Sequence, residues 1–291
     1  MGGTERESLD LERTRALVPR TVAYIRRYGN ALDKLRLTVL LGEPHTRDEI
    51  QVVLRPYRFD DGSWDYTPGE LCEERVGSLG GTIHCLRWLR EFGMQQTEEM
   101  SSTLEFLARV QEDDGSFYET RAKLDHSPQP WLQEDTLIDR FYFTAAVPVR
   151  LYSMGCSLHH VIKPALRWLR EHWGDWGLVT GTWYSLWALL CLLHQTDQTT
   201  LTLYNRCHDK AMSWIDGLRP QPLTWFLDAL QGAGFPSDEP LVVRGMARLL
   251  SLQQDDGTWQ EPASQVETTV TAIRVLRWCW PELFLRPLPL A

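Results

Sequence analysis

Three segments of this chain match one another at wide spacing: Arg58-Phe59-Asp60-Asp61-Gly62-Ser63-Trp64, Gln111-Glu112-Asp113-Asp114-Gly115-Ser116-Phe117 and Gln253-Gln254-Asp255-Asp256-Gly257-Thr258-Trp259. Trp173-Gly174-Asp175-Trp176-Gly177 reads as a degenerate fourth copy. Gly62 and Gly115 stand 53 residues apart, and the 142 residues from Gly115 to Gly257 come close to three more units of that size. A repeat of this length is one supersecondary unit that cannot bury its apolar face alone, so neighbouring units must cover one another. Each copy follows an amphipathic segment (MSSTLEFLARV, LVVRGMARLLSL) with apolar residues at i, i+3, i+4 and i+7. Each precedes a more apolar one: VGSLGGTIHCLRWL, LIDRFYFTAAVPVRLY and VETTVTAIRVLRWCW. The unit is therefore a polar-faced helix, a tight turn and an apolar helix, with Asp-Gly supplying the left-handed residue of the turn.

Outer helices are expected near 46–55, 99–110, 161–172, 206–217 and 240–252, and inner helices near 76–93, 136–155, 182–195, 222–234 and 265–280. A sixth pair spans 11–41, split near Gly29-Asn30. The pattern predicts one all-α domain over 1–291, with residues 1–10 open to disorder, and the apolar helices gathered inside a ring. Long connections at 57–75 and 117–135 are aromatic and charged, as functional loops often are. The carboxylates Asp60, Asp61, Asp113, Asp114, Asp255 and Asp256 look like a catalytic run, but their recurrence in several units points to a structural role. An EF-hand reading fails for want of alternating oxygen ligands and a distal Glu.

Composition narrows the function. The net charge of −9 and the lack of a basic block argue against nucleic-acid binding. No apolar run reaches the roughly 18 residues a membrane span needs. The charged start MGGTERESLDLERTR has no apolar core of a secretory signal, and Arg6 stands where a myristoylation signal wants Ser or Thr. Six scattered Cys without CxxC pairs suit reduced thiols, so a cytoplasmic location is expected. Thirteen Trp are many for this length, and they read either as helix packing or as the lining of a cavity that attracts cations.

The Q-x-D-D-G-[ST]-aromatic turns with an inner segment such as SLGGTIHCLRWL resemble the α/α toroid of protein prenyltransferase β-subunits and squalene-cyclase-type terpene cyclases. The resemblance covers nearly the whole chain. It implies a barrel of about six helix pairs around an apolar cavity and an isoprenoid substrate. The zinc branch of that family carries a D-x-C-Y-S-F-W pattern, and this chain has Gly181-Thr182-Trp183-Tyr184-Ser185-Leu186-Trp187. Gly181, Trp183 and Thr268 take the ligand positions, and none can hold zinc. His159 and His160 are adjacent and point to different helix faces. A zinc prenyltransferase is rejected, and no metal or cofactor is expected.

The acid-initiated branch uses a D-x-D-D-T-like motif. Here Leu132-Gln133-Glu134-Asp135-Thr136 keeps an acidic pair and the Thr but lacks the first Asp. Glu134 and Asp135 read equally as an acid pair, each keeping a proton on the other, and as a helix cap. Asp139 in LIDRFYF is either a buried acid or the partner of an Arg. Asp228 in WFLDALQG is a further acid candidate. Phe141, Tyr142, Phe143, Trp183, Tyr184, Trp187, Trp225 and Phe226 are candidates for an aromatic cavity wall, and His84 and His194 lie on inner segments. Cys85 and Cys191 read as core thiols. Phosphate-binding glycine motifs are absent, and Arg55, Arg58 and Arg75 are the residues placed to meet an anionic head group. The leading expectation is a metal-independent cyclase or isomerase acting on an isoprenoid or similar hydrophobic small molecule. The alternatives are a toroid that binds a lipid or protein without chemistry, and a lyase or hydratase tailoring a biosynthetic intermediate. Peripheral membrane contact is compatible with each.

Overall fold

A computed structural model describes residues 2–65, 76–126, 136–174, 182–262 and 264–284. The described residues are all-α and contain thirteen α-helices and no strand. In chain order these are α1 (Gly2–Tyr28), α2 (Ala31–Leu41), α3 (Arg47–Leu54), α4 (Leu79–Glu91), α5 (Glu98–Val110), α6 (Arg121–His126), α7 (Leu137–Ser153), α8 (Ile162–His172), α9 (Trp183–Gln195), α10 (Thr202–Trp214), α11 (Pro220–Ala233), α12 (Pro240–Ser251) and α13 (Gln265–Cys279). The order of polar-faced and apolar helices is the one the periodicity predicts. The six-residue α6 falls inside the stretch 117–135 read as loop. Among the described residues no helix is long and apolar enough to cross a membrane.

Local chemistry sets the helix starts. Ser78, Thr97, Thr136 and Thr182 each accept a hydrogen bond from the backbone three residues on, satisfying a donor that has no partner within the helix. Asn30 and Asp33 form a reciprocal capping box at α2, and Gly42 closes that helix in the left-handed region. Pro220 and Pro240 begin α11 and α12, where a missing N–H costs nothing.

The three repeat turns share one bonding pattern. Asp61, Asp114 and Asp256 each accept from the backbone N–H two residues on, at Ser63, Ser116 and Thr258. Gly62, Gly115 and Gly257 have φ of 86°, 92° and 87°. The aromatic that ends each copy donates its backbone N–H to a Thr of the following inner helix: Trp64 to Thr82, Phe117 to Thr144 and Trp259 to Thr269. The second carboxylate of each run thus works as turn chemistry, as its recurrence indicates.

The described chain divides into two compact units, one of Met1–Thr46 with His208–Ala291 and one of Arg47–Cys207, and the division falls inside α10. In the first unit α11 packs on α12 and α13, and α1 packs on α2, α12 and α13. Its core includes Val18, Ile25, Leu227, Leu249, Trp259 and Ile273. In the second unit α7 is central and packs on α4, α8 and α9. Phe106, Phe143, Ala146, Leu169 and Leu189 are part of the core there.

Candidate functional site

The second unit collects polar groups along one stripe of its central helix. Asp139, Ala146 and Arg150 of α7 are seven and eleven residues apart along the sequence. Eleven residues make about three helical turns, so the two charges share a face roughly 16 Å apart, with Tyr142 one turn from Asp139. The facing stripe of α9 carries Tyr184, Trp187 and Cys191 by the same spacing.

At the N-terminal end, Asp139 is 4% exposed. Thr136 donates its hydroxyl to Oδ2 at 2.7 Å, and the Tyr184 hydroxyl lies 3.4 Å from Oδ1 as a donor. Burial, and then the charge of Asp139, hold the Tyr184 proton more tightly than usual. Tyr142 stands at the middle of the stripe, its ring 5.0 Å from that of Tyr184 and 6.0 Å from that of Trp187. Burial pushes its hydroxyl up to about 12. Tyr142 still keeps solvent-accessible surface, as do His84, Trp183 and Tyr184.

At the other end, the Arg150 guanidinium lies 5.2 Å over the Trp187 ring and is 5% exposed. Burial first, then the charges of Arg87 and Arg90, bring its pKa down to about 9. Arg87 is 2% exposed, and its Nη2 lies 3.3 Å from His84 Nε2. Cys191 faces the same cluster, and burial pushes its thiol up to about 12. The stripe therefore runs from a carboxylate, past phenols and an indole, to a group of cations.

Glu119 completes the setting. Its carboxylate accepts from the backbone of Leu79 at 2.6 Å and of Gly80 at 3.0 Å, closing the start of α4. Burial raises its pKa despite those bonds. A Cβ on Gly80 would meet Glu119 and the Phe143 ring, so the missing side chain lets α4 approach α7.

Of the residues singled out from sequence, Asp139, His84, Tyr142, Trp183, Tyr184 and Trp187 fall in this part of the second unit. Trp183 meets Tyr184 edge-on at 6.1 Å. Phe141 turns instead toward α8, where it is fully buried 6.4 Å from Trp168. It sits one residue around the helix from Tyr142 and so looks away from the stripe. Glu134 and Asp135 lie outside the described residues, as does Arg75. Asp228, Trp225 and Phe226 are on α11 of the first unit, where Asp228 is fully buried and ion-paired with Arg274 of α13. An Arg partner favours the carboxylate over the acid. Arg55 and Arg58 line a cavity of about 420 Å³ on the second unit, beside Gln51, Phe59 and Glu99. Arg87, Arg150 and Glu119 went unnoticed in the sequence. Arg150 was open to discovery, because counting by turns from Asp139 places it on the same face.

Among the described residues no three His, Cys, Asp or Glu side chains are grouped as a metal site needs. No family model matches the chain, and no curated protein matches it.

Proposed function

We propose that the protein is a terpene-cyclase-like enzyme that isomerises or cyclises an isoprenoid-like substrate by protonation, without a metal. The alternation of polar-faced and apolar helices along the chain and the repeat turns support its resemblance to the toroid cyclases. The observation that carries the reading is the α7 stripe, with a buried carboxylate at one end, aromatic rings along it and a cation group at the other. The apolar chain lies along Tyr142, Tyr184 and Trp183, and an anionic head group meets Arg150, Arg87 and Arg90.

In this reading Asp139 enters the reaction as the carboxylic acid. Its proton goes to an alkene carbon, and the π electrons form the new C–H bond. A carbocation and the Asp139 carboxylate remain. The faces of Tyr142, Tyr184 and Trp183 stabilise the cation, by up to about 2 kcal/mol per desolvated ring. Thr136 and Tyr184 hydrogen-bond the carboxylate meanwhile. Loss of a proton from a neighbouring carbon to Asp139 gives the rearranged alkene and restores the acid.

The test is product analysis by mass spectrometry after incubation with isoprenoid alcohols and diphosphates. Asp139→Asn keeps an oxygen that can accept from Thr136, so the fold is expected to stand while turnover drops about 10²-fold or more. Full activity in that variant would remove Asp139 from the chemistry. A second reading, lipid binding without turnover, is favoured by one observation: Asp139 already accepts from two hydroxyls in the first turn of α7, an arrangement that suits a carboxylate. Bound isoprenoid without any product from the wild-type protein would select it.

A further inference from the structure

The first repeat turn departs from the other two at its opening residue. Gln111 satisfies itself locally, donating to the carbonyls of Gly115 at 2.9 Å and Val161 at 2.8 Å. Gln253 likewise donates to Gly257 and accepts from Thr14. Arg58 holds this position in the first copy. It donates to Ser102 at 3.2 Å, and its buried Nε has no hydrogen-bond partner among the described residues.

Beside Arg58 opens the cavity of about 420 Å³ between α3, the repeat turn and α5. That volume is at the lower end of small-molecule pockets, which run from roughly 300 to 1,000 Å³. Leu54, Phe59 and Met94 supply apolar wall, and Arg55 and Asp60 stand at the exposed rim. Opposite in charge is Glu99, which is only 9% exposed. Gln51 donates to its Oε1 at 2.8 Å, while the buried Oε2 has no hydrogen bond of ordinary geometry among the described residues. Burial raises the Glu99 pKa, but donors at the start of α5 and the charge of Arg58 outweigh it and hold the group ionised. Arg58 acts on Glu99 through its charge, and among the described residues the two form no direct ion pair.

Away from the exposed Arg55 and Asp60, the lining holds one cation, Arg58, and one anion, Glu99, beside an apolar wall, and this suits a ligand that carries both complements on adjacent carbons. We propose that this cavity is a binding site for a small zwitterion, an α-amino acid with an apolar side chain. Its carboxylate meets Arg58, with Arg55 at the rim, its ammonium meets Glu99, and its side chain lies against Leu54, Phe59 and Met94. A charge-assisted bond on each side fixes orientation, and the wall selects the side chain. The site is separate from the α7 stripe and stands or falls without it.

The experiment is calorimetric titration and thermal-shift measurement of the full chain with L-leucine, L-methionine and L-phenylalanine. N-acetyl-L-phenylalanine removes the ammonium, and L-phenylalaninamide removes the carboxylate. At least one free amino acid is expected to bind and raise the melting temperature, with both blocked forms at least 10-fold weaker. Arg58→Gln restores the residue of the other two copies and is expected to fold. It should abolish the advantage of the free acid over the amide. Glu99→Gln retains the oxygen that Gln51 reaches and should abolish the advantage over the acetylated form. Absence of binding by all three amino acids at 10 mM would overturn the site. So would blocked forms that bind equally well, or variants that respond like the wild type. Asp139→Asn is expected to leave this binding unchanged, which separates its failure from that of the proposed catalysis.

Discussion

Single residues carry the repeat, and the turn glycines show how. Gly115 has a φ of 92°, and a Cβ there would meet the Pro164 carbonyl oxygen at 2.6 Å. The left-handed backbone and the close approach to α8 act together. Gly93 has a φ of 68° with open space around it, so it isolates the backbone effect. Gly93→Ala is expected to cost about 1 kcal/mol through strain alone. Gly115→Ala is expected to cost at least about 1–3 kcal/mol more, since α8 or the turn must shift. Urea unfolding of the two variants checks this, and equal losses would mean that the approach to Pro164 yields freely. The turn acids were legible as structural because the same letters recur where chemistry needs them once. Of the cations of the candidate site, Arg150 is within reach of counting by turns from Asp139, but Arg87 is not. Arg87 sits in a run whose apolar neighbours dominate the pattern.

At the level of elements, the apolar helices are legible because each presents a long periodic face, and their bounds fall within a few residues of those predicted. The devices that join one element to another are less so. Glu119 stands two residues after Phe117 and closes the start of α4. Glu261 stands two residues after Trp259 and does the same for α11, accepting from Gln221 and pairing with Arg219 at 3.2 Å. The second and third repeat turns thus each cap a preceding apolar helix, a link that joins residues 40 apart and leaves no local trace. The short α6 was hidden for a related reason. Its Lys123 is held by Asp65 at 3.0 Å in a nearly buried pair, so tertiary contact supports what six residues could not sustain alone. Replacing Glu119 by Ala orphans two backbone donors at the start of α4. The expected loss is about 2 kcal/mol or more. Faster amide exchange in Leu79–Ile83 should accompany it, while Glu119→Gln, which keeps one of the two acceptor oxygens, should lose less. Unchanged exchange in that segment would show that the cap is dispensable.

At the scale of the whole chain, a unit made from both chain ends is invisible to periodicity, which reports faces and not partners. The last repeat turn rests on the first helix. Thr21 donates to the Gly257 carbonyl at 2.7 Å, Thr14 donates to Gln253 at 2.9 Å, and Arg13 and Arg20 both reach Asp255. Gly257 is packed so tightly that an added Cβ would touch Thr21 and the Leu17 carbonyl. The turn of the α12–α13 hairpin therefore packs on α1 as the earlier turns pack on α5 and α8. A chain that lacks residues 1–28 exposes the buried faces of α12 and α13 and leaves Gln253 and the Gly257 carbonyl without their partners. Limited proteolysis is expected to cut first within 252–262 in that shortened protein. The turn around Gly115, whose outer helix α8 is retained, should resist. Adding the peptide 1–28 in trans should restore protection, because the surface it covers is complete without it. Cleavage at both turns alike, or protection of 252–262 without α1, would mean that the last repeat closes by some other contact.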